Sequence, residues 1–148
     1  MLRLQRRSAL DDPGAYIEAC QAHVGSAETA MSERPLIGRT VLLVEDEPLI
    51  SLDVETRLQD AGARVFTASR LDHALSLASH GEFSAAVLDF DLGNADSTIV
   101  CWKLFDRKVP FLFHTGQPYS AFRQWPSAPV VLKTATEDVV ATLCRLLG

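Results

Sequence analysis

From Thr40 onward the chain repeats one pattern: a short apolar segment, then apolar residues at helical spacing, then a breaker. "TVLLV" (40–44) reads as a buried strand. Pro48 then opens a helix whose inner face is Ile50, Val54, Leu58 and Ala61, and Gly62 closes it. "RVFTA" (64–68) is a second strand, followed by a helical face of Leu71, Ala74, Leu75 and Ala78 that ends at Gly81. "SAAVLDF" (84–90) is a third strand, with a helix from about Ser97 to Lys108 behind it. "VPFLFHT" (109–115) and "PVVLK" (129–133) are the fourth and fifth strands, and Val139, Val140, Leu143, Leu146 and Leu147 line a last helix. Strands apolar on both faces, alternating strictly with helices, predict an α/β domain with a parallel sheet covered on two sides. Right-handed crossovers make it a doubly wound five-stranded sheet. The connection "GQPYSAFRQWPSA" (116–128) is bounded by Pro118 and Pro126, so the fourth helix is shortened to about two turns at most.

With 148 residues, nearly half of them apolar, the chain has material for one sizeable core. We expect a single domain over 38–148, preceded by an extension at 1–37 that holds Pro13, Gly14, Gly25 and Pro35 and a weak helical stripe of Tyr16, Ile17, Cys20 and Val24. Two readings of the extension stand side by side: an amphipathic arm that docks on a partner, or a segment upstream of a true start at Met31. A net charge of -5, with 14 scattered Lys and Arg, argues against direct DNA binding. Cys20, Cys101 and Cys144 have no metal-ligand spacing and read as packing residues in a reducing compartment. No stretch has the apolar length of a membrane span, and "MLRLQRRSAL" is charged where a signal peptide needs its apolar core. These features predict a cytoplasmic protein.

In an open parallel sheet, function gathers where the strand carboxyl ends converge. The strands here deliver Glu45 and Asp46, then Asp89, then Thr115, then Lys133 to that edge. Singly, a terminal acid is most often a cap or a solvated loop residue; four strand ends in agreement favour a site. Three carboxylates repel one another, and Mg²⁺ suits them because it takes one or two carboxylates and completes its shell with water and phosphate oxygens. With that charge neutralised, Asp89 can attack a phosphoryl group, while Thr115 and Lys133 hold its oxygens and Gly116 leaves the approach open.

The motif set from Thr40 onward closely resembles the CheY-like receiver domain of bacterial two-component response regulators. "LLVEDEP" is similar to the acidic pair of that family, which implies that Asp46 binds Mg²⁺ directly and Glu45 through water. "LDFDLG" resembles its acceptor motif in the register that selects Asp89. Asp91 would then offer its backbone carbonyl to the metal and line the entrance with its side chain. Thr115 matches the switch hydroxyl and Lys133 the family lysine. The resemblance implies strand order 2-1-3-4-5, a phosphorylated Asp89, and a sensor histidine kinase or histidine phosphotransfer protein as donor.

The pattern departs from the family in three places. Thr134 follows Lys133 where the family has proline after a cis peptide; without proline a cis bond costs about 3 kcal/mol, so a trans or rearranged loop is expected. Val130 occupies the switch-aromatic position, so there is no switch aromatic. The fourth helix, part of the face that many receivers use to dimerise, is short. With "FHTG" (113–116), these features resemble a subgroup of stand-alone receivers that have Phe-x-Thr-Gly. His114 reads as a packed or surface imidazole, not a phosphotransfer group. Trp102 and Trp125 read as packing residues, with Trp125 beside Pro126 the candidate for an exposed contact.

The resulting expectation is a single-domain response regulator, not an enzyme beyond its own phosphorylation and dephosphorylation. It would signal by contact with a downstream protein or as a homodimer, or act as a phosphate sink. Two alternatives compete with it. One is a receiver-shaped binding module that works without phosphate. The other is a haloacid-dehalogenase-type phosphatase, disfavoured because Glu45 and Asp46 precede Asp89, whereas that class has its second acid pair after the lysine.

Overall fold

The computed structural model describes residues 33–116 and 123–148. Most of the 1–37 extension, including Tyr16, Ile17, Cys20, Val24 and Met31, lies outside them, as do residues 117–122 of the long connection. The unit described runs from Pro35 to Gly148.

Five strands form one sheet: β1 (Thr40–Val44), β2 (Arg64–Ala68), β3 (Ala85–Leu88), β4 (Phe111–Thr115) and β5 (Val130–Leu132). Their order is β2-β1-β3-β4-β5, and every neighbouring pair is parallel. This is the expected doubly wound arrangement. Four helices cover it: α1 (Pro48–Asp60), α2 (Leu71–His80), α3 (Thr98–Asp106) and α4 (Asp138–Leu147). Strand alternation divides the core in two. Val41 and Leu43 face α1 and α4 and pack with Val54, Leu58, Val139 and Leu143. Leu42 and Val44 face the other way and join Ala74, Ala78, Val100 and Leu104 of α2 and α3.

Pro48 stands at the start of α1 as its spacing predicts. After α1, Gly62 sits at φ +98°, and a Cβ there would lie 2.8 Å from Ile37 Cγ1 and 2.9 Å from Ile37 N. Only glycine satisfies both the backbone and the space. The close approach lets Leu36 N–H reach Ala61 C=O at 2.8 Å and buries Leu36 in the core.

Several expectations change. β2 is an edge strand with only Ala68 buried. Phe66 is partly exposed and packs edge-on against Phe83, with the Arg64 guanidinium 5.2 Å from its ring centre. The third strand is trimmed to Ala85–Leu88, the helix at 97–108 to Thr98–Asp106, and β5 ends at Leu132, where Lys133–Ala135 turns into one 3-10 turn. The shortened fourth helix falls partly on residues outside the description; residues 123–129 form turns.

Trp125 is a packing residue, 7% exposed, whereas Trp102, also expected to pack, is 52% exposed. Trp125 inserts between Phe111 (5.4 Å between ring centres) and Trp102 (4.7 Å), while Trp102 caps it from α3. Cys101 is buried in the core, where burial pushes its thiol up to about 12, and Cys144 is half-buried.

Candidate functional site

The sheet brings Glu45, Asp46, Asp89, Thr115 and Lys133 to one edge. Backbone hydrogen bonds extend the ladder past the strand ends: Glu45 N–H donates to Ala68 C=O at 3.0 Å, and Asp89 N–H to Val44 C=O at 2.8 Å. The acids are therefore held by the rigid sheet. Asp46, Asp89, Asp91, Thr115, Gly116 and Lys133 line an open cleft of about 240 Å³ together with Glu47 and Gly93. Glu45 lies beneath, 2% exposed. Thr115 is fully buried and pairs in register with Leu132. Among the described residues, a Cβ on Gly116 would meet nothing within 4 Å.

Lys133 is the electrostatic centre. Its Nζ lies 2.8 Å from Asp89 Oδ2, 2.8 Å from Glu47 Oε1 and 3.2 Å from Glu45 Oε1. Burial works against its charge, but hydrogen bonds to Asp89 and Glu47 and the charges of Asp89 and Glu45 outweigh it, so its pKa is raised. Glu45 is raised to about 7, first by burial and then by the Asp89 charge. The Glu47 N–H at 3.1 Å and Lys133 act in the opposite direction.

Asp89, 4% exposed, also accepts the Asp91 N–H at Oδ1, 3.3 Å away. Asp91 is exposed and its Oδ1 accepts the Gly93 N–H at 3.0 Å. Gly93 has φ +82°, which closes this turn beside the Asp46 carboxylate.

The donor set fits a hard cation. Glu45, Asp46, Glu47 and Asp89 each place one carboxylate oxygen within 4.8 Å of the others. At an effective dielectric near 20, each like-charged pair at that spacing costs about 3 kcal/mol. Among the described residues, the buried Glu45 Oε2 has no hydrogen-bond partner, which fits a site that binds a water or a cation.

The sequence reading names neither Glu47 nor Thr136. Glu47 is the third acid of "VEDEP", and its partnership with Lys133 spans 86 residues. His114 is 1% exposed, a packed imidazole as expected, but its Nε2 lies 3.0 Å from Thr136 Oγ1. The Lys133–Thr134 peptide is trans, in keeping with the missing proline. Val130 pairs with Phe113 and is half-buried.

No family model and no curated protein matches the sequence. Solved structures do. SdrG from Sphingomonas melonis Fr1 is 32% identical, with 74% of this chain aligned to 97% of that one at a TM-score of 0.64. A CheY-like response regulator receiver domain protein from Methanospirillum hungatei JF-1 is 20% identical over 74% of this chain and 93% of its own, at a TM-score of 0.66. The receiver domain of sensor histidine kinase PA1611 from Pseudomonas aeruginosa PAO1, solved with a magnesium ion in its active-site cleft, is 23% identical over 75% and 98%, at a TM-score of 0.65. With the five-stranded order, these structures show the fold: the chain has the doubly wound fold of the CheY-like response regulator receiver domains.

Proposed function

We propose that the domain at 38–148 is a phosphorylatable receiver in which Asp89 accepts a phosphoryl group from a sensor histidine kinase or a histidine phosphotransfer protein. The observation that carries this reading is the Lys133 ammonium 2.8 Å from a buried Asp89 carboxylate at the mouth of an acidic cleft. One Asp89 oxygen forms the new P–O bond as the P–N bond to the donor imidazole breaks, and the imidazole leaves as the neutral base after protonation. Lys133 orients Asp89 before transfer and holds a phosphoryl oxygen after it. Thr115 donates its hydroxyl to another, and Gly116 has no side chain to obstruct the donor.

Asp46 directly, Glu45 through water, Asp89, and Asp91 through its backbone carbonyl would hold Mg²⁺. When bound, the ion supplies the positive charge that lets an anionic carboxylate meet an anionic phosphoryl group. The phosphoryl group adds charge at Thr115 and Lys133, and the altered surface binds a downstream protein, a second copy of the chain, or drains phosphate by hydrolysis. Among the described residues no helix is long and apolar enough to cross a membrane; a cytoplasmic site of action is part of this proposal.

The test is intact mass after acetyl phosphate or beryllofluoride treatment with Mg²⁺, on wild type and Asp89→Ala, with EDTA as control. A Mg²⁺-dependent adduct confined to wild type is expected. An adduct of equal yield in Asp89→Ala would overturn the assignment of the acceptor.

A further inference from the structure

Lys133 must be delivered to Asp89 by a loop without the proline that stiffens it in the receiver domains this chain resembles. Its backbone is nevertheless tied down. Thr136 Oγ1 donates to Lys133 C=O at 3.2 Å. A hydroxyl has one proton, so the contact between Thr136 Oγ1 and His114 Nε2, 3.0 Å, takes its proton from the imidazole. His114 is therefore the Nε2–H tautomer, and its bare Nδ1 is the buried ring nitrogen that has no partner. The chain of contacts begins on β4, one residue before Thr115, and ends on the carbonyl of the residue whose ammonium holds Asp89. The same Thr136 carbonyl receives the Val139 N–H at 3.1 Å, which ties the turn to the start of α4.

We propose that His114 and Thr136 form a buried brace that positions Lys133, a pair of positioning residues doing by hydrogen bonds what a ring-locked peptide would do by covalent restraint. The inference rests on the reading of Lys133 as the phosphoryl-contacting group, but its geometry stands on the hydrogen bonds alone. Sheet pairing fixes His114, because it lies opposite Val131 in β5. Burial removes water as a competing partner for the Thr136 hydroxyl. Loss of the hydroxyl frees the Lys133–Ala135 turn, and Nζ then spends part of its time away from Asp89 and in solvent.

The experiment measures Lys133 directly by brief acetylation with a trace reagent and peptide mass spectrometry, with exposed Lys108 as internal reference. Wild type, Thr136→Val and Thr136→Ser are compared. Lys133 should label well below Lys108 in wild type. Thr136→Val should raise its relative rate by about fivefold, the shift that one hydrogen bond of ordinary net strength supports, and Thr136→Ser should restore it. Beryllofluoride affinity should fall in parallel in Thr136→Val, with the urea midpoint recording any general loss of stability.

A Lys133 rate unchanged in folded Thr136→Val would overturn the brace, as would a wild-type Lys133 that labels as fast as Lys108. Should Thr136→Val not fold, His114→Leu, which removes the other donor, carries the same comparison. Failure of the phosphoacceptor reading looks different: wild type then forms no Asp89 adduct, while the labelling ratios still decide the brace.

Discussion

The buried His114 makes a pH prediction whose size can be worked out. Burial pushes its pKa down from 6.5 to about 4, the Lys133 charge adds to the effect, and Asp53 opposes it. A folded-state pKa below the unfolded one means that the unfolded chain takes up the proton first as pH falls. The stability associated with a neutral His114 is therefore complete above pH 6.5 and is lost as pH drops toward 4. At pH 5.5 the unfolded imidazole is about ten to one protonated while the folded one is almost entirely neutral, a loss of about 1.4 kcal/mol relative to pH 7.5. Glu45 acts the other way: its folded pKa of about 7 lies above its ordinary 4.5, so its protonation stabilises the fold as pH falls through the same window. The raw pH curve therefore hides both. The perturbation is His114→Gln, which keeps a donor for Thr136 and removes the titration. Urea unfolding of both proteins in EDTA at pH 7.5, 6.5 and 5.5 gives their stability difference, from which Glu45 cancels. That difference should move by about 1.4 kcal/mol in favour of the variant on acidification. Parallel curves, with a gap constant to about 0.3 kcal/mol, would refute the placement of a neutral imidazole in the core.

The two tryptophans should part company under mutation. Trp125→Ala should cost about 3 kcal/mol or more in urea unfolding, because it opens a cavity beside Phe111, whereas Trp102→Ala at its half-exposed position should cost under about 1 kcal/mol. Acrylamide should quench the Trp102 emission more strongly than that of Trp125, and the reverse order would return Trp125 to the surface. Gly62→Ala should destabilise by about 2 kcal/mol, from the strained φ and the close approach to Ile37 together. A thermal midpoint equal to wild type would mean that the Pro35–Ile37 segment can move aside.

Much of the fold was legible because the local signals agree. In β1, β3 and β4 the apolar residues are continuous, as two covered faces require, and Pro48 and Gly62 mark the ends of α1. The strand-end groups were legible for a topological reason: in a parallel sheet every carboxyl end points the same way, so position along the strand is enough to gather Glu45, Asp46, Asp89, Thr115 and Lys133. What escaped depends on which segments meet across the sheet. The exposure of β2 follows from its place at the edge, which its own residues do not announce. The exposure of Trp102 escaped because a Trp on a helix and a Trp beside a proline give equally weak local signals, although Trp125 packs as expected. Burial was decided by Phe111 on a neighbouring strand.

Lys133 shows the consequence for function. Judged by the motif alone, Thr134 in place of proline weakens the placement of the lysine, because the covalent device that fixes the loop is absent. The loop carbonyl still needs a donor once it is taken from water, and Thr136, backed by His114, supplies one. Nζ then lies 2.8 Å from Asp89 with the Lys133–Thr134 peptide trans. A missing motif residue is therefore poor evidence of a lost site when the physical requirement it met, a fixed backbone behind one ammonium, is met by other groups. The residues to compare in such a domain are those that satisfy the loop, wherever in the chain they lie.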